Sequence, residues 1–282
     1  MPDLLPPLSA ATKNAARMRV ELEQRARAAC QSSYLGDHTS LCRVLGKHLC
    51  FVDTRDRHLA PHLVMNGFWE PWITVAFAQR VRPGMVCVDV GANLGYFTMV
   101  LADLVGPTGA VLAFEPNPRL RELCTSSICA NGFRARTCVS GLAASDRDGA
   151  VVPLTFDLAS PMNGTIVGSA KPDATPVKTV RLDTACANLP RVDFVKIDVE
   201  GAEELVWDGM QSVLDKNPQV MVVMEWNAQR AGAERLLDKV AQRFSNLAHI
   251  GFDGEVESIS RERLLVERGA EDFMLFLQND AR

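Results

Sequence analysis

The sequence predicts an α/β protein built on a largely parallel sheet, and three observations predict it. From Met85 to Leu142, short β-branched runs alternate with helical stretches in the order strand, helix, strand, helix, strand. A second alternating series runs from Val192 to Phe244. A glycine-bearing turn, Gly91 to Gly95, joins the first of these strands to its helix. Alternation of this kind implies parallel strands joined by right-handed crossovers. At about 150 residues per domain, 282 residues fit one large domain with an extension. Residues 1–75 are read as a helical extension or lid, and residues 76–282 as the main domain.

Taken in order, residues 8–30 carry apolar positions between Arg, Glu and Lys with no Gly or Pro. They predict an exposed amphipathic helix with Ser9 as its N-cap, serving as a packing arm or pairing two subunits in a homodimer. Pro83-Gly84 is a turn, and Met85 to Val90 is a short apolar strand stopped by Gly91. Leu94 to Leu104 reads as a helix ended by Gly106-Pro107. Ala110 to Phe114 is the next strand, Pro118 to Ala130 a helix closed by Asn131-Gly132, and Arg136 to Leu142 a third strand. Residues 148–182 break the rhythm and read as a β-rich insertion. Its short strands are expected at Val151 to Phe156, Gly164 to Gly168 and Pro176 to Leu182. The alternation resumes with a strand at Val192 to Ile197, a helix at Gly201 to Leu214, a strand at Val220 to Met224 and a helix at Ala228 to Phe244. Ala248 to Phe252 and Phe273 to Leu277 are expected as the last two strands.

Composition narrows the function classes. A hydrophobic share of 47% supports a real core and excludes general disorder. The net charge of −4 argues against gripping nucleic acid by bulk charge. Eight cysteines without a CxxC pair predict free thiols in a reduced compartment. No stretch has the form of a signal peptide or a membrane span, so a cytoplasmic protein without a membrane partner is expected.

The chemistry concentrates where predicted strands end. In Val88-Asp89-Val90-Gly91-Ala92-Asn93-Leu94-Gly95, a strand passes through a glycine turn into a helix. Glycines let the backbone approach a ligand closely, and the helix start offers free N–H groups. Glu115 ends the next strand, where an acid is placed to accept hydrogen bonds from ribose hydroxyls. The pair reads as a nucleoside cofactor site. The spacing is G-x-x-x-G, not the G-x-G-x-x-G that a dinucleotide pyrophosphate needs, which weakens a dehydrogenase reading. S-adenosylmethionine carries no phosphate and tolerates Asn93 in the turn.

Asp198 ends the strand beginning at Val192 and points toward the same site. Glu225 ends the neighbouring predicted strand. Two carboxylates facing one cleft bind a divalent cation such as Mg²⁺ or act as general base. The plainer alternative for Glu225 is pairing with an arginine or capping the next helix. For Glu200 and Glu203 it is chemistry at a helix N-terminus, and for Lys196 a partnership with an acid. His58 and His62, four apart, share a helix face and read as surface histidines or a metal pair. Trp69 and Trp72 read as lid residues or as core anchors.

Five pieces in this order resemble the FkbM-type S-adenosylmethionine-dependent methyltransferases. They are Gly67-Phe68-Trp69-Glu70, the stretch from Val88 to Thr98, Phe114-Glu115-Pro116-Asn117-Pro118, Ala143-Ala144-Ser145-Asp146, and Lys196-Ile197-Asp198-Val199-Glu200-Gly201-Ala202-Glu203. The resemblance implies a class I methyltransferase (Rossmann-like) fold, a mostly parallel seven-stranded sheet with helices on both faces and an antiparallel last strand. It implies methyl transfer to a hydroxyl of a small molecule such as a sugar, a polyketide or another natural product. It also implies that Asp89, Gly91, Asn93 and Gly95 line the methionine part of S-adenosyl-L-methionine and that Glu115 holds the ribose. Asn117 and the loop containing Ala144 would then flank the adenine, with Asp198 close to the transferred methyl. Two alternatives share the fold: a methyltransferase acting on RNA, and a cofactor-binding subunit without turnover. An Asn-Pro-Pro-aromatic motif would mark the first, and that position here reads Asp198-Val199-Glu200-Gly201.

Overall fold

In the computed structural model, residues 14–157, 159–167, 172–267 and 272–279 are described. The expected N-cap Ser9 lies outside them, as does Gly168 at the end of one predicted strand. Helix α1 spans Ala15–Ala29 and is capped by Asn14, whose side chain accepts from Arg17 N. A three-stranded antiparallel sheet follows: β1 (Ser32–Gly36), β2 (Thr39–Val44) and β3 (His48–Asp53). Its hairpins turn at Gly36 and Gly46, both at positive φ. Helices α2 (Leu59–Met65) and α3 (Pro71–Arg80) complete the extension. The extension is therefore a helix and a small sheet before two helices, not helices alone. Met18, Leu22 and Ala26 of α1 are buried, and α1 packs on α3, so its apolar stripe is covered by its own chain.

The main domain runs through β4 (Val86–Val90), α4 (Tyr96–Val105), β5 (Ala110–Phe114), α5 (Pro118–Ala130) and β6 (Thr137–Ser140). The insertion contributes β7 (Ala143–Ala144), β8 (Val151–Asp157), β9 (Ser160–Thr165) and β10 (Thr175–Val180). These four form their own sheet in the order β7-β10-β8-β9. The short α6 (Leu182–Ala185) leads to β11 (Phe194–Ile197), then α7 (Glu203–Asp208), α8 (Gln211–Lys216) and β12 (Met221–Trp226). The chain closes with α9 (Ala233–Arg243), β13 (Leu247–Ile250), β14 (Val256–Ser258) and β15 (Phe273–Leu277).

The large sheet has eight strands in the order β14-β13-β15-β12-β11-β4-β5-β6. Strands β12, β11, β4, β5 and β6 are parallel, and β15 runs antiparallel against β12. This is the class I architecture, with β14 added at the edge as an eighth strand. The chain winds outward from β4 to β6 and then returns to β11 on the other side of β4. Beyond the carboxyl ends of β4 and β11 lies the switch point at which open α/β sheets bind ligands.

The apolar strands are covered on both faces. One core joins α1, α3, α4 and α5 to the sheet, with Phe77 packed edge-on against Phe194 at 4.8 Å. The other joins α7, α8 and α9 through Trp207, Leu214 and Leu237. The single helix expected over 201–214 is two short ones. Gly209 ends α7, and a Cβ there would stand 1.9 Å from the Ser145 carbonyl oxygen. The close approach of the β7 loop therefore fixes the break.

Candidate active site

The turn after β4 is shaped by its neighbours. Gly91 has φ +77°, and a Cβ there would stand 1.7 Å from the Asp198 carbonyl oxygen. No other residue fits between the ends of β4 and β11. Gly95, at φ +92°, faces Cys124, whose Sγ would lie 2.7 Å from an added Cβ. Gly95 therefore serves the packing of α4 on α5, and it does not border the cleft.

Asn93 sits at φ +53° and accepts from Leu94 N through its own Oδ1 at 2.7 Å. Its backbone N–H donates to Glu115 Oε2 at 2.7 Å, and Asn117 N donates to Glu115 Oε1 at 2.8 Å. Glu115 is thus clamped by two backbone donors, one from each loop. Burial pushes its carboxyl up to about 7, against the pull of those donors. Asn117 caps α5, accepting from Arg119 N at 3.0 Å, while its Nδ2 is shut off from solvent and donates to no protein group.

These residues border a cleft beyond the carboxyl ends of β4 and β11. Of the expected cofactor residues, Gly91, Asn93, Glu115, Asn117, Ala144 and Asp198 line it. Leu59 and Trp69 of the extension close one side, and Leu154, Gly164 and Ile166 of the insertion close another. Arg57 N donates to the Ala159 carbonyl at 3.1 Å, tying extension to insertion. Trp69 borders the cleft and carries His62 against it, with ring centroids 5.0 Å apart. Trp72 instead packs on Phe252.

Asp89 lies beneath the cleft floor. It is fully buried, accepts from Thr98 Oγ1 at 2.6 Å and faces Lys196 Nζ at 3.6 Å. It positions α4 and Lys196, and it does not line the cleft. Lys196 is only 2% exposed and lies 3.2 Å from Asp198. Burial alone would lower its pKa, but Asp198 and Asp89 hold it above the usual lysine range, so it stays an ammonium.

A second network follows β11. Glu203 Oε1 accepts from Val199 N and Gly201 N, stapling the loop that carries Asp198 and Glu200. The same oxygen accepts from Arg230 Nη1 at 2.8 Å. Arg230 also lies 2.6 Å from Glu225 and 3.2 Å from Glu200. The plainer reading of Glu225, pairing with an arginine, is what the structure shows. Glu225 does not reach the large cleft, although one carboxylate oxygen each of Asp198, Glu200 and Glu225 lie within 4.8 Å of one another. Burial and the Asp198 charge raise the Glu225 pKa, and they push Glu200 up to about 7.

Sequence reasoning missed Arg230, which stands alone in a loop with no motif around it. It also gave Glu70 no role, although Glu70 closes one of the five recognised pieces. Glu70 takes a left-handed conformation, φ 37°, at the start of α3. Burial and the nearby Asp198 push its carboxyl up to about 8.

Comparison with known proteins agrees with this layout. Residues 89–253 match the methyltransferase FkbM domain family, which is more than half of the chain. Methyltransferase 1 of Beauveria bassiana is 30% identical over 152 residues, covering 44% of this chain and 57% of that protein. Methyltransferase sdnD of Sordaria araneosa is 27% identical over 175 residues, covering 49% and 65%. The chain thus spans less than two thirds of either relative. Among solved structures, precorrin-6Y C5,15-methyltransferase of Geobacter metallireducens aligns with a TM-score of 0.44 at 12% identity, covering 75% of this chain and 88% of that one. The S-adenosylmethionine-dependent O-methyltransferase of Thermotoga maritima aligns at 0.42 and 14% identity, covering 76% and 66%. With the family model spanning the strand β4 turn, Glu115, Asp198 and Glu225, this chain belongs to the FkbM methyltransferase family.

Proposed function

We propose that the chain is an S-adenosylmethionine-dependent methyltransferase acting on a hydroxyl of a small molecule. The observation that carries this reading is the cleft at the switch point, with the Glu115 carboxylate and the Asn117 amide facing it. The residues present fit the cofactor. Each Glu115 oxygen accepts one backbone bond, which leaves lone pairs for two ribose hydroxyls. Asn117 Nδ2 is a buried donor awaiting an acceptor, as an adenine edge would provide. No side chain of the turn blocks the approach at Gly91.

When bound, S-adenosylmethionine supplies a methyl group on a positively charged sulfonium. The protein's part is to align the acceptor and take its proton. Asp198 borders the cleft with its carboxylate held by Lys196, and it is placed to accept the hydroxyl proton through Oδ1 or Oδ2. Alignment contributes through effective molarities of roughly 10⁵–10⁸ M.

Magnesium has no part in this mechanism. Arg230 and Lys196 already set two protein cations against Glu225, Glu200 and Asp198, so the residues fit an internal ion network better than a metal centre. Addition of EDTA is expected to leave turnover unchanged. A loss restored by Mg²⁺ would overturn that view.

Calorimetric titration with S-adenosylhomocysteine tests the cofactor. Micromolar binding is expected, and no binding at millimolar ligand would sink the reading. Glu115→Gln is expected to weaken that binding by about 10²-fold. The amide NH₂ meets Asn93 N–H or Asn117 N–H donor to donor, and a charge-assisted bond is lost. Glu115 titrates near 7, and its ionised form is the acceptor that ribose needs. Affinity should therefore rise between pH 6 and pH 8, by about tenfold at most, and the Gln variant should show a flat profile.

A further inference from the structure

A second pocket opens on the same edge of the sheet. Its apolar walls are Trp72, Ile250, Phe252, Phe273 and Met274, and its polar groups are the carboxyls of Glu70, Glu225 and Asp272. It lies at the carboxyl end of β12, where Trp226 pairs with Phe273 and Glu225 with Met274. Glu225 and Asp198 stand within 4.8 Å of each other through their carboxylate oxygens, and Asp198 borders the cofactor cleft. The two cavities therefore meet at one carboxylate wall.

The lining is chemically one-sided. Among the described residues, no Lys, Arg or His lines this cavity. Arg230 holds Glu225 and Asp272 from outside it. Arg19 stacks on Trp72 at 5.3 Å and donates to the Phe252 carbonyl, which pins both rings at the rim. The two rings meet edge to face at 5.0 Å, yet Phe252 keeps 56% of its surface exposed. Aromatic faces and carboxylates attract the same ligand, a cation with an apolar body. Asp272 repels an anionic acceptor, whereas an ammonium beside Glu70 and Glu225 favours the ionised forms of these carboxyls that burial disfavours.

We propose that this cavity is the acceptor site and that it takes a small molecule whose apolar body carries a protonated amine. The ammonium lies among Glu70, Asp272 and the Trp72–Phe252 rings, and the hydroxyl faces Asp198. This rests on the methyltransferase reading of the neighbouring cleft. Burial, with the nearby Asp198, pushes the Glu70 carboxyl up to about 8, and an ammonium beside it would favour the ionised form.

The test is calorimetric titration of the full chain, saturated with S-adenosylhomocysteine, against three matched probes: tyramine, N-acetyltyramine and 4-hydroxyphenylacetate. Tyramine is expected to bind at least about tenfold tighter than the neutral amide, and the carboxylate weakest. Asp272→Asn and Phe252→Ala should each weaken tyramine several-fold without changing the affinity for S-adenosylhomocysteine. Equal binding of all three probes overturns the proposal. So does failure of tyramine to bind at millimolar concentration while S-adenosylhomocysteine binds. Failure of S-adenosylhomocysteine itself overturns the cofactor reading instead. Tyramine binding to the ligand-free chain, and its loss in Asp272→Asn, then decides the pocket independently.

Discussion

Asp198→Asn is expected to lower kcat by about 10²–10⁴-fold, the usual contribution of a positioned base. The asparagine keeps the size of the side chain and an oxygen for Lys196 at the position 3.2 Å away. Folding and the shape of the cleft are therefore preserved while the proton acceptor is removed. Glu225→Gln is expected to cost less, because Glu225 is one of several carboxylates around Arg230 and does not border the large cleft. Single-turnover methyl transfer, measured with an acceptor found by screening hydroxylated amines, sugars and polyketides, checks both. Near-full activity of Asp198→Asn would remove Asp198 from the chemistry and leave it a structural partner of Lys196.

Lys196→Met is expected to destabilise the fold by about 3–5 kcal/mol. Lys196 lies in the central strand β11, between Asp89 beneath the turn and Asp198 at the cleft. Asp89 is fully buried, and its remaining bond comes from Thr98. Without the ammonium, Asp89 becomes an uncompensated buried carboxylate. Urea denaturation followed by tryptophan fluorescence measures the loss. The double variant Asp89→Leu with Lys196→Met removes both charges, so it should recover part of the stability lost by the single variant. If the single variant unfolds at the wild-type denaturant concentration, the buried pair contributes nothing to stability.

The candidate site was legible in the sequence wherever a strand end carried a motif. Gly91, Asn93, Glu115, Asn117, Ala144 and Asp198 all reach one cleft. They do so because parallel strands deliver their carboxyl ends to one edge of the sheet. Asp89 and Gly95 belong to the same motif but serve the layer beneath. Alternation along a strand sends Asp89 to the far side of Val90, and Gly95 is spent on the close packing of Cys124. Glu225 was placed correctly at its strand end, but its partner Arg230 was invisible because a single arginine in a loop carries no spacing signal. The three-stranded sheet of residues 32–53 was missed for a related reason. Its strands are short, and β1 is almost wholly exposed, so no apolar alternation marks it.

By itself the sequence determined the α/β class, the alternation of parallel strands with helices and the position of the glycine turn after the first of them. These depend on local periodicity and on glycine placement, which the chain carries residue by residue. Tertiary structure alone decided how charge is shared. Lys196 faces Asp89 and Asp198, Arg230 gathers Glu200, Glu203 and Glu225, and the extension and insertion meet over the cleft. The contacts of Lys196 with Asp89, of Arg230 with Glu200 and Glu203, and of the extension with the insertion join residues far apart in the chain, and the burial that sets their strength is encoded by no local pattern of residues.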